Sequence, residues 1–323
     1  MKFPAKFALA AVVGVASLLP VTAAAQPFPS KPIRILVPFA PGGGADAYAR
    51  LVAAGMGTAL NQTVVVENDA GASGVIALSR TAKSPKDGYT LVLSTSTNIS
   101  AAPNLYKKLP YRVEDFSPVV LVVNFPFYLF GSANVPKGFK DFVAYAKANP
   151  GKINYATSGI GSTPHLLGEM VKGAIGVNMT DVPYKGSGPA YNDLMSGQVQ
   201  MYADAPSPGL SYAKSGRINV FAVLDDKRGA IAPEVPTMAE LGYPGLTAYN
   251  RYFLLAPAGT PPAVIERLNK AAVQAMESGP LRERHIADGS APGIHTPEQV
   301  MAIMMADFET WGRVVRKLGL QLD

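Results

Sequence analysis

Short segments rich in Val, Ile, Leu, Tyr and Phe alternate with helix-like segments from residue 33 to the C-terminus, and few architectures accept that rhythm. Residues 33–38, 63–67, 89–94, 119–131, 153–157, 180–184, 199–203, 218–224 and 249–256 read as strands, each bounded by Gly, Pro, Asn or Ser. Helices are predicted over 46–60, 73–83, 139–148, 164–175, 189–196, 207–215, 236–241, 261–277, 280–287 and 297–318. In the last of these Val300, Ile303, Met304, Phe308, Trp311 and Val315 recur close to a 3.6-residue period, as one buried helix face requires. Strand and helix alternating along most of the chain predict an α/β protein with largely parallel sheets.

Two stretches depart from the rhythm. Val119 to Phe130 is too long for one ordinary strand, and Asp226 to Pro257 is rich in Pro and Gly. Both read as crossovers. They divide the chain into a first domain of residues 26–124 and 227–323 and a second of residues 125–226. Two linkers across one cleft form a hinge.

The first 25 residues stand apart. Lys2 and Lys6 precede an apolar run, Phe7 to Leu19, and Ala23-Ala24-Ala25 supplies small residues for cleavage. That order is a secretory signal peptide, cut after Ala25, and the apolar run is short for a membrane anchor. Removing 25 of 323 residues leaves 298, enough for real cores, and lowers the net charge from +6 to +4 by loss of the two lysines. Lys and Arg are scattered rather than clustered, which disfavours nucleic acid as a partner. The chain has no Cys, so disulfides, thiolate metal sites, a thiol nucleophile and a lipoprotein anchor are excluded.

Six strand-to-helix junctions share one chemistry of small and hydroxyl residues. They are Ala40 to Asp46, Asn68 to Gly74, Ser94 to Asn98, Thr157 to Pro164, Tyr184 to Pro189 and Asp204 to Pro208. In open α/β sheets ligands bind at the carboxyl ends of strands, where such loops sit. The first is the strongest: an apolar strand enters Pro41-Gly42-Gly43-Gly44, and a helix starts near Ala45 or Asp46. Free N–H groups and the helix dipole favour an anion there. Lys185 is the one basic residue in the six loops, which suits a carboxylate held by neutral dipoles better than a nucleotide phosphate.

Enzyme signatures are missing: there is no Gly-x-Ser-x-Gly, no His-Glu-x-x-His and no phosphate-binding Gly-x-x-x-x-Gly-Lys. His165 and Glu169 share a helix face, but no third metal ligand accompanies them, and His165 fits better as a helix-start cap or a residue lining the cleft. Asp46 fits a first-turn carboxylate that complements the dipole better than a general base. No cofactor is expected.

Eight motifs stand in order along the chain: Val37-Pro-Phe-Ala-Pro-Gly-Gly-Gly-Ala-Asp46, Val65-Val-Glu-Asn68, Asp87-Gly-Tyr-Thr-Leu91, Leu105-Tyr-Lys-Lys-Leu-Pro-Tyr111, Asn149-Pro-Gly-Lys152, Val182-Pro-Tyr-Lys-Gly186, Asp193-Leu-Met-Ser-Gly-Gln-Val199 and Ala256-Pro-Ala-Gly-Thr-Pro261. With them the chain resembles the Bug family of extracytoplasmic solute receptors, the binding components of tripartite tricarboxylate transporters. The resemblance implies a type II periplasmic-binding-protein fold, a carboxylate in the cleft between two α/β domains, a periplasmic location and delivery to a two-subunit membrane permease. A monomer is expected. The same resemblance assigns ligand contacts to Phe39, Gly43, Asp46, Gly71, Ser73, Thr95, Ser96 and Asn98 of the first domain and to Ser158, Gly161, Ser162, Thr163 and Asp204 of the second.

The chain departs from the family pattern at Pro164, at Asn250-Arg251-Tyr252-Phe253 and at the aromatic Asn124-Phe-Pro-Phe-Tyr128. Those departures bear on the ligand. A dicarboxylate is expected, with an aromatic one such as terephthalate a candidate. Arg251 offers a two-pronged contact for the far carboxylate, and Phe39, Phe127, Tyr128 and Tyr249 offer flat walls for a ring. An exported enzyme acting on a small carboxylate, or a sensor for a signalling partner, are the alternative readings.

Overall fold

The computed structural model describes residues 28–71, 74–277, 279–290 and 296–323. The expected signal segment, the candidate Ser73 and His295 lie outside the described residues. Among these residues the strands form two five-stranded sheets. The first contains β1 (Ile33–Val37), β2 (Val64–Asn68), β3 (Thr90–Thr95), β4 (Phe116–Pro126) and β10 (Tyr249–Pro257), in the order β2-β1-β3-β10-β4. The second contains β5 (Tyr128–Ser132), β6 (Ile153–Thr157), β7 (Met179–Pro183), β8 (Met201–Asp204) and β9 (Ile218–Val223), in the order β7-β6-β8-β5-β9. β1 runs parallel to β2 and β3, and β6 runs parallel to β7 and β8. β10 is antiparallel to β3 and β4, and β5 is antiparallel to β8 and β9. Each sheet thus carries one reversed strand in a largely parallel set.

Successive side chains of a strand point to opposite faces, so a buried strand must be apolar on both. β1 does this: Ile33, Ile35 and Val37 enter one cluster with α1 (Gly44–Leu60), α8 (Pro262–Glu277) and α9 (Gly279–Asp288), whereas Leu36 enters another with α2 (Val75–Ala82) and α10 (Pro297–Leu318). The second sheet is sandwiched likewise. Leu129, Ile153 and Tyr155 pack with α4 (Phe139–Ala148) and α5 (Thr163–Ile175); Tyr128, Phe130 and Tyr202 pack with α6 (Ser187–Ser196) and α7 (Pro206–Lys214). Each fully buried Leu, Ile or Phe of these layers contributes about 1.5–3 kcal/mol.

The helix ends follow the sequence chemistry. α10 starts at a reciprocal cap, in which the Thr296 side chain accepts from the Gln299 N–H and the Gln299 side chain accepts from the Thr296 N–H, and it stops at Gly319 with φ +62°. α10 also serves two cores. Val300 and Met304 pack on the first sheet, and Trp311 and Val315 pack with Leu166 and Leu167 of the second.

The predicted strand 119–131 is two strands, because the chain passes from one sheet to the other at Phe127. It returns through residues 224–248. The two passages are stitched by a ring of backbone bonds: Phe127 N–H to Ala248 O at 2.9 Å, Ala248 N–H to Leu224 O at 2.9 Å, and Leu224 N–H to Phe127 O at 2.8 Å. The helix expected over 236–241 does not form. Thr237 and Glu240 close a single capped turn, and Gly242 at φ +96° ends it. Five residues between Pro236 and Gly242 are too few to recover the cost of nucleating a helix. A helical segment that the strand-helix rhythm did not show runs over 97–105: a π-helical turn, Thr97–Ala101, leads into α3 (Ala102–Leu105).

Candidate functional site

The carboxyl ends of β1 and β3 meet those of β6 and β8. The Thr97 and Thr163 hydroxyls are in direct contact across the gap. Gly161 lies so close to Leu105 that a Cβ there would stand 2.3 Å from its Cδ2. On the other flank Ala205, just past β8, packs against the core of the first sheet. The loops between these two contacts supply the candidate site.

The loop from Ala40 to Gly44 is exposed, and Gly43 caps α1 without any side-chain acceptor. The first N–H groups of α1 are therefore left to a ligand or to water. Phe39, half-buried, packs on the core at the base of this loop. Asp46 is buried and fastens the loop from beneath. It accepts from Gly42 N–H at 3.0 Å, from Arg50 Nε at 3.0 Å and Nη2 at 2.9 Å, and from Asn68 Nδ2 at 2.9 Å. The Arg50 hydrogen bond is the main reason its carboxyl titrates at about 2. Asn68 Nδ2 also donates to Phe39 O at 3.1 Å, tying the end of β2 to the end of β1. Asp46 thus sets the loop's shape, with its acceptors turned inward.

Gly43 sits at φ −81°, where any residue fits. The glycine requirement falls on Gly42, at φ +89°, and on Gly71, at φ +149°. Within the run Gly42-Gly43-Gly44 the positive φ is thus carried by Gly42 rather than by Gly43. A run of three glycines does not show which one carries the turn.

At the end of β3, Thr95 Oγ1 donates to Asn98 Oδ1 at 2.8 Å, and Tyr111 Oη donates to the Asn98 carbonyl at 2.7 Å. Ser96 Oγ donates to Asp307 Oδ2 at 3.1 Å. Asp307 is also ion-paired with Arg251, whose guanidinium lies 4.5 Å from the Tyr249 ring centre. Burial pushes the Asp307 carboxyl up, against the pull of Arg251. Arg251, expected to meet a far carboxylate, is thereby engaged on its Nη1 side, while its buried Nε has no partner. Tyr252, the next residue, brings its hydroxyl to the first turn of α1, 3.3 Å from where a Cβ on Gly44 would stand.

From the second sheet, Ser162 caps α5, accepting from Ser158 N–H at 3.3 Å and from His165 N–H at 3.4 Å. His165 Nδ1 accepts from Gly161 N–H at 3.2 Å, so this imidazole shapes the loop and burial holds its pKa low. Glu169, its partner in the metal reading, instead accepts from Tyr155 Oη at 2.6 Å and Lys172 Nζ at 3.1 Å. Among the described residues no group of His, Cys, Asp or Glu is placed to hold a metal ion. His285 is buried beside Tyr48, far along the chain from these loops, and desolvation lowers its pKa to about 4.

Asp204 ends β8, register-paired with Tyr128. It is almost wholly buried among the Ser187, Tyr191 and Tyr202 hydroxyls and the Ala205 N–H, and desolvation outweighs them, raising its pKa to about 6. Its charge is also felt by Tyr252 of the other sheet.

The structure therefore gathers Phe39, Gly43, Thr95, Ser96, Ser158, Thr163 and Asp204 around the meeting strand ends, with Asp46, Asn98, Gly161 and Ser162 holding the loops and Arg251 paired behind Ser96. Sequence reasoning missed Arg50, Thr97, Tyr252 and Asp307. Arg50 had a signal, since it lies four residues after Asp46 on one helix face. Asp307 had none: it is 211 residues from Ser96.

Two parallel-stranded lobes that meet at their strand ends, with an uncapped helix N-terminus at the junction, define a solute-binding receptor. Residues 48–320 match the tripartite tricarboxylate transporter family receptor, TctC, and the chain belongs to that family. It is 39% identical to protein BugT of Bordetella pertussis over 97% of this chain and 95% of that one. Among solved structures, the periplasmic binding protein BugD superimposes with a TM-score of 0.81 at 35% identity, covering 91% of this chain and 99% of BugD. Two Rhodopseudomonas palustris proteins agree as well. MatC with bound malate gives 0.80 at 31% identity over 89% of this chain and 100% of MatC; Rpa4515 with adipate gives 0.82 at 32% over 91% and 99%. The chain is a periplasmic solute-binding receptor of this family and not an enzyme.

Proposed function

We propose that the chain captures a dicarboxylate between two domains, residues 26–124 with 227–323 and residues 125–226, and delivers it to a two-subunit tripartite tricarboxylate permease. Residues 1–25 act as the export signal, cut after Ala25, and the mature receptor works as a monomer. The observation that carries the reading is the exposed Ala40–Gly44 loop over the uncapped start of α1. Its N–H groups suit one carboxylate without a cation. The malate and adipate bound by MatC and Rpa4515 are both dicarboxylates, which supports a second carboxyl at the far end. Terephthalate remains the aromatic candidate, with Phe39 at the edge of the site.

Thermal unfolding against terephthalate, adipate, malate, citrate and benzoate, followed by calorimetric titration of the hits, tests the reading. A dicarboxylate at 100 times its Kd should add about 2.7 kcal/mol of stability. Benzoate should add little. A receptor that responds to benzoate as strongly as to every dicarboxylate would sink the assignment.

A further inference from the structure

Asp204 presents a puzzle for a receptor of anions. It is an acidic side chain, 9% exposed, at the carboxyl end of the central strand of the second sheet, where ligand loops converge. A buried carboxylate facing a second carboxylate in a dry site is costly, and two such groups cannot both stay ionised. The cations of the surrounding loops are committed elsewhere. Arg50 pairs with Asp46, Arg251 with Asp307 and Arg284 with Asp288, while Lys185, on the loop before α6, is exposed.

What faces Asp204 is neutral on every side. α6 contributes Ser187 and Tyr191, β8 contributes Tyr202, β5 contributes Tyr128 as its register partner, the loop after β6 contributes Ser158 near Tyr202, and β10 contributes Tyr252 from across the gap. Tyr202 Oη donates to Ser187 Oγ at 3.2 Å, and the buried Tyr191 hydroxyl lies beside the Asp204 carboxyl. These tyrosines stay protonated, because burial raises their own pKa values. The cluster can supply hydroxyl hydrogens but no positive charge.

We propose that Asp204 sets the protonation state in which the ligand is held: the far carboxyl of the bound dicarboxylate and the Asp204 carboxyl share one proton, taken up from bulk water on binding. One oxygen then donates an O–H to the other, and the net charge buried at this end is −1 instead of −2. This rests on the dicarboxylate reading and goes beyond it, since capture becomes linked to pH. Free Asp204 already sits near the point where a proton is available, with its pKa at about 6. A ligand carboxylate beside it makes that proton harder to lose. The receptor therefore binds more tightly in mildly acidic than in alkaline surroundings.

Calorimetric titration with adipate and terephthalate between pH 5.5 and 8, in two buffers of different ionisation heat, counts the protons. Wild type should take up close to one proton at pH 8, and its affinity should fall by up to tenfold per pH unit above about pH 6, the point set by Asp204. Asp204→Asn, neutral at every pH, should bind without proton uptake and at pH 8 should bind at least tenfold tighter than wild type. Ser187→Ala removes a hydroxyl that favours the ionised form. It should retain the fold and move the fall in affinity to higher pH. Tight binding by wild type with no proton uptake at pH 8 overturns the proposal and leaves the dicarboxylate reading standing. So does a preference for malate over succinate that disappears in Asp204→Asn, since the ligand's own hydroxyl would then be the donor. A panel in which no dicarboxylate binds at pH 5.5 overturns both.

Discussion

Asp46 shows how one side chain can fasten a whole loop from beneath. Its carboxylate gathers Gly42, Arg50 and Asn68, and Asn68 in turn holds Phe39. Hydrogen bonds to a charged group contribute about 1.5–3 kcal/mol, and the exposure of Arg50 puts this set at the lower end. Asp46→Asn should cost about 1–2 kcal/mol in chemical denaturation at pH 7 and weaken ligand binding at least tenfold, because the N–H groups of the loop lose their fixed aim. The sign of the pH dependence follows from the lowered pKa. Asp46 stabilises the fold above the unfolded value of about 3.8 and ceases to do so as pH falls through about 2. The difference between wild type and Asp46→Asn should therefore be intact at pH 5 and shrink toward pH 2. A variant equal to wild type in both stability and affinity at pH 7 would make the loop independent of its anchor. The presence of this loop was legible in the run of three glycines; which glycine turns and which group anchors it were not, because both depend on Asn68 arriving from the next strand.

Among the elements, β10 and α10 carry the most consequence for the site. β10 completes the first sheet between β3 and β4, and it delivers Arg251 to Asp307 of α10 beneath Ser96. Breaking a buried pair leaves one charge without compensation, which costs about 3–5 kcal/mol, more than the pair itself contributes. Arg251→Ala should lower stability by about 3 kcal/mol, and a combined Arg251→Met, Asp307→Leu change should recover most of that loss. Thermal unfolding of wild type and the two variants reads this directly; a double variant no more stable than Arg251→Ala would argue against coupling. The strand segments were legible because buried β-branched runs bounded by Gly and Pro leave few alternatives, and α4 and α10 were predicted with the bounds observed. The division of α10 was not legible. Its apolar stripe from Val300 to Val315 is continuous, and only the placement of the second sheet decides that Trp311 joins the core of Leu166 and Leu167 while Met304 joins that of Phe253. Likewise only Pro126, with no Gly beside it, marks the change of sheet at Phe127.

At the scale of the molecule, two sheets of matching strand order are joined by two passages that hydrogen-bond to each other at Phe127, Leu224 and Ala248. A rotation about that ring would leave its three bonds intact, so closing on a ligand need not break backbone pairing. Saturating dicarboxylate should reduce the radius of gyration in small-angle scattering. Trp311, the single tryptophan of the chain, lies on α10 against the second sheet's core, and its emission should shift in the same titration. No change in either signal under saturation would mean that the halves are fixed as they stand. The placement of β10 and α10 also governs when this protein can acquire its shape. The first sheet has a gap between β3 and β4 until residues 249–257 arrive, and the face that α2 begins to cover stays incomplete until α10 follows. During synthesis the first hundred residues therefore have no finished partner surface on which to settle. On the export proposed for this chain, a polypeptide that crosses a membrane before it folds is served by that delay, since the segments that emerge first are kept pliable by the lateness of the last.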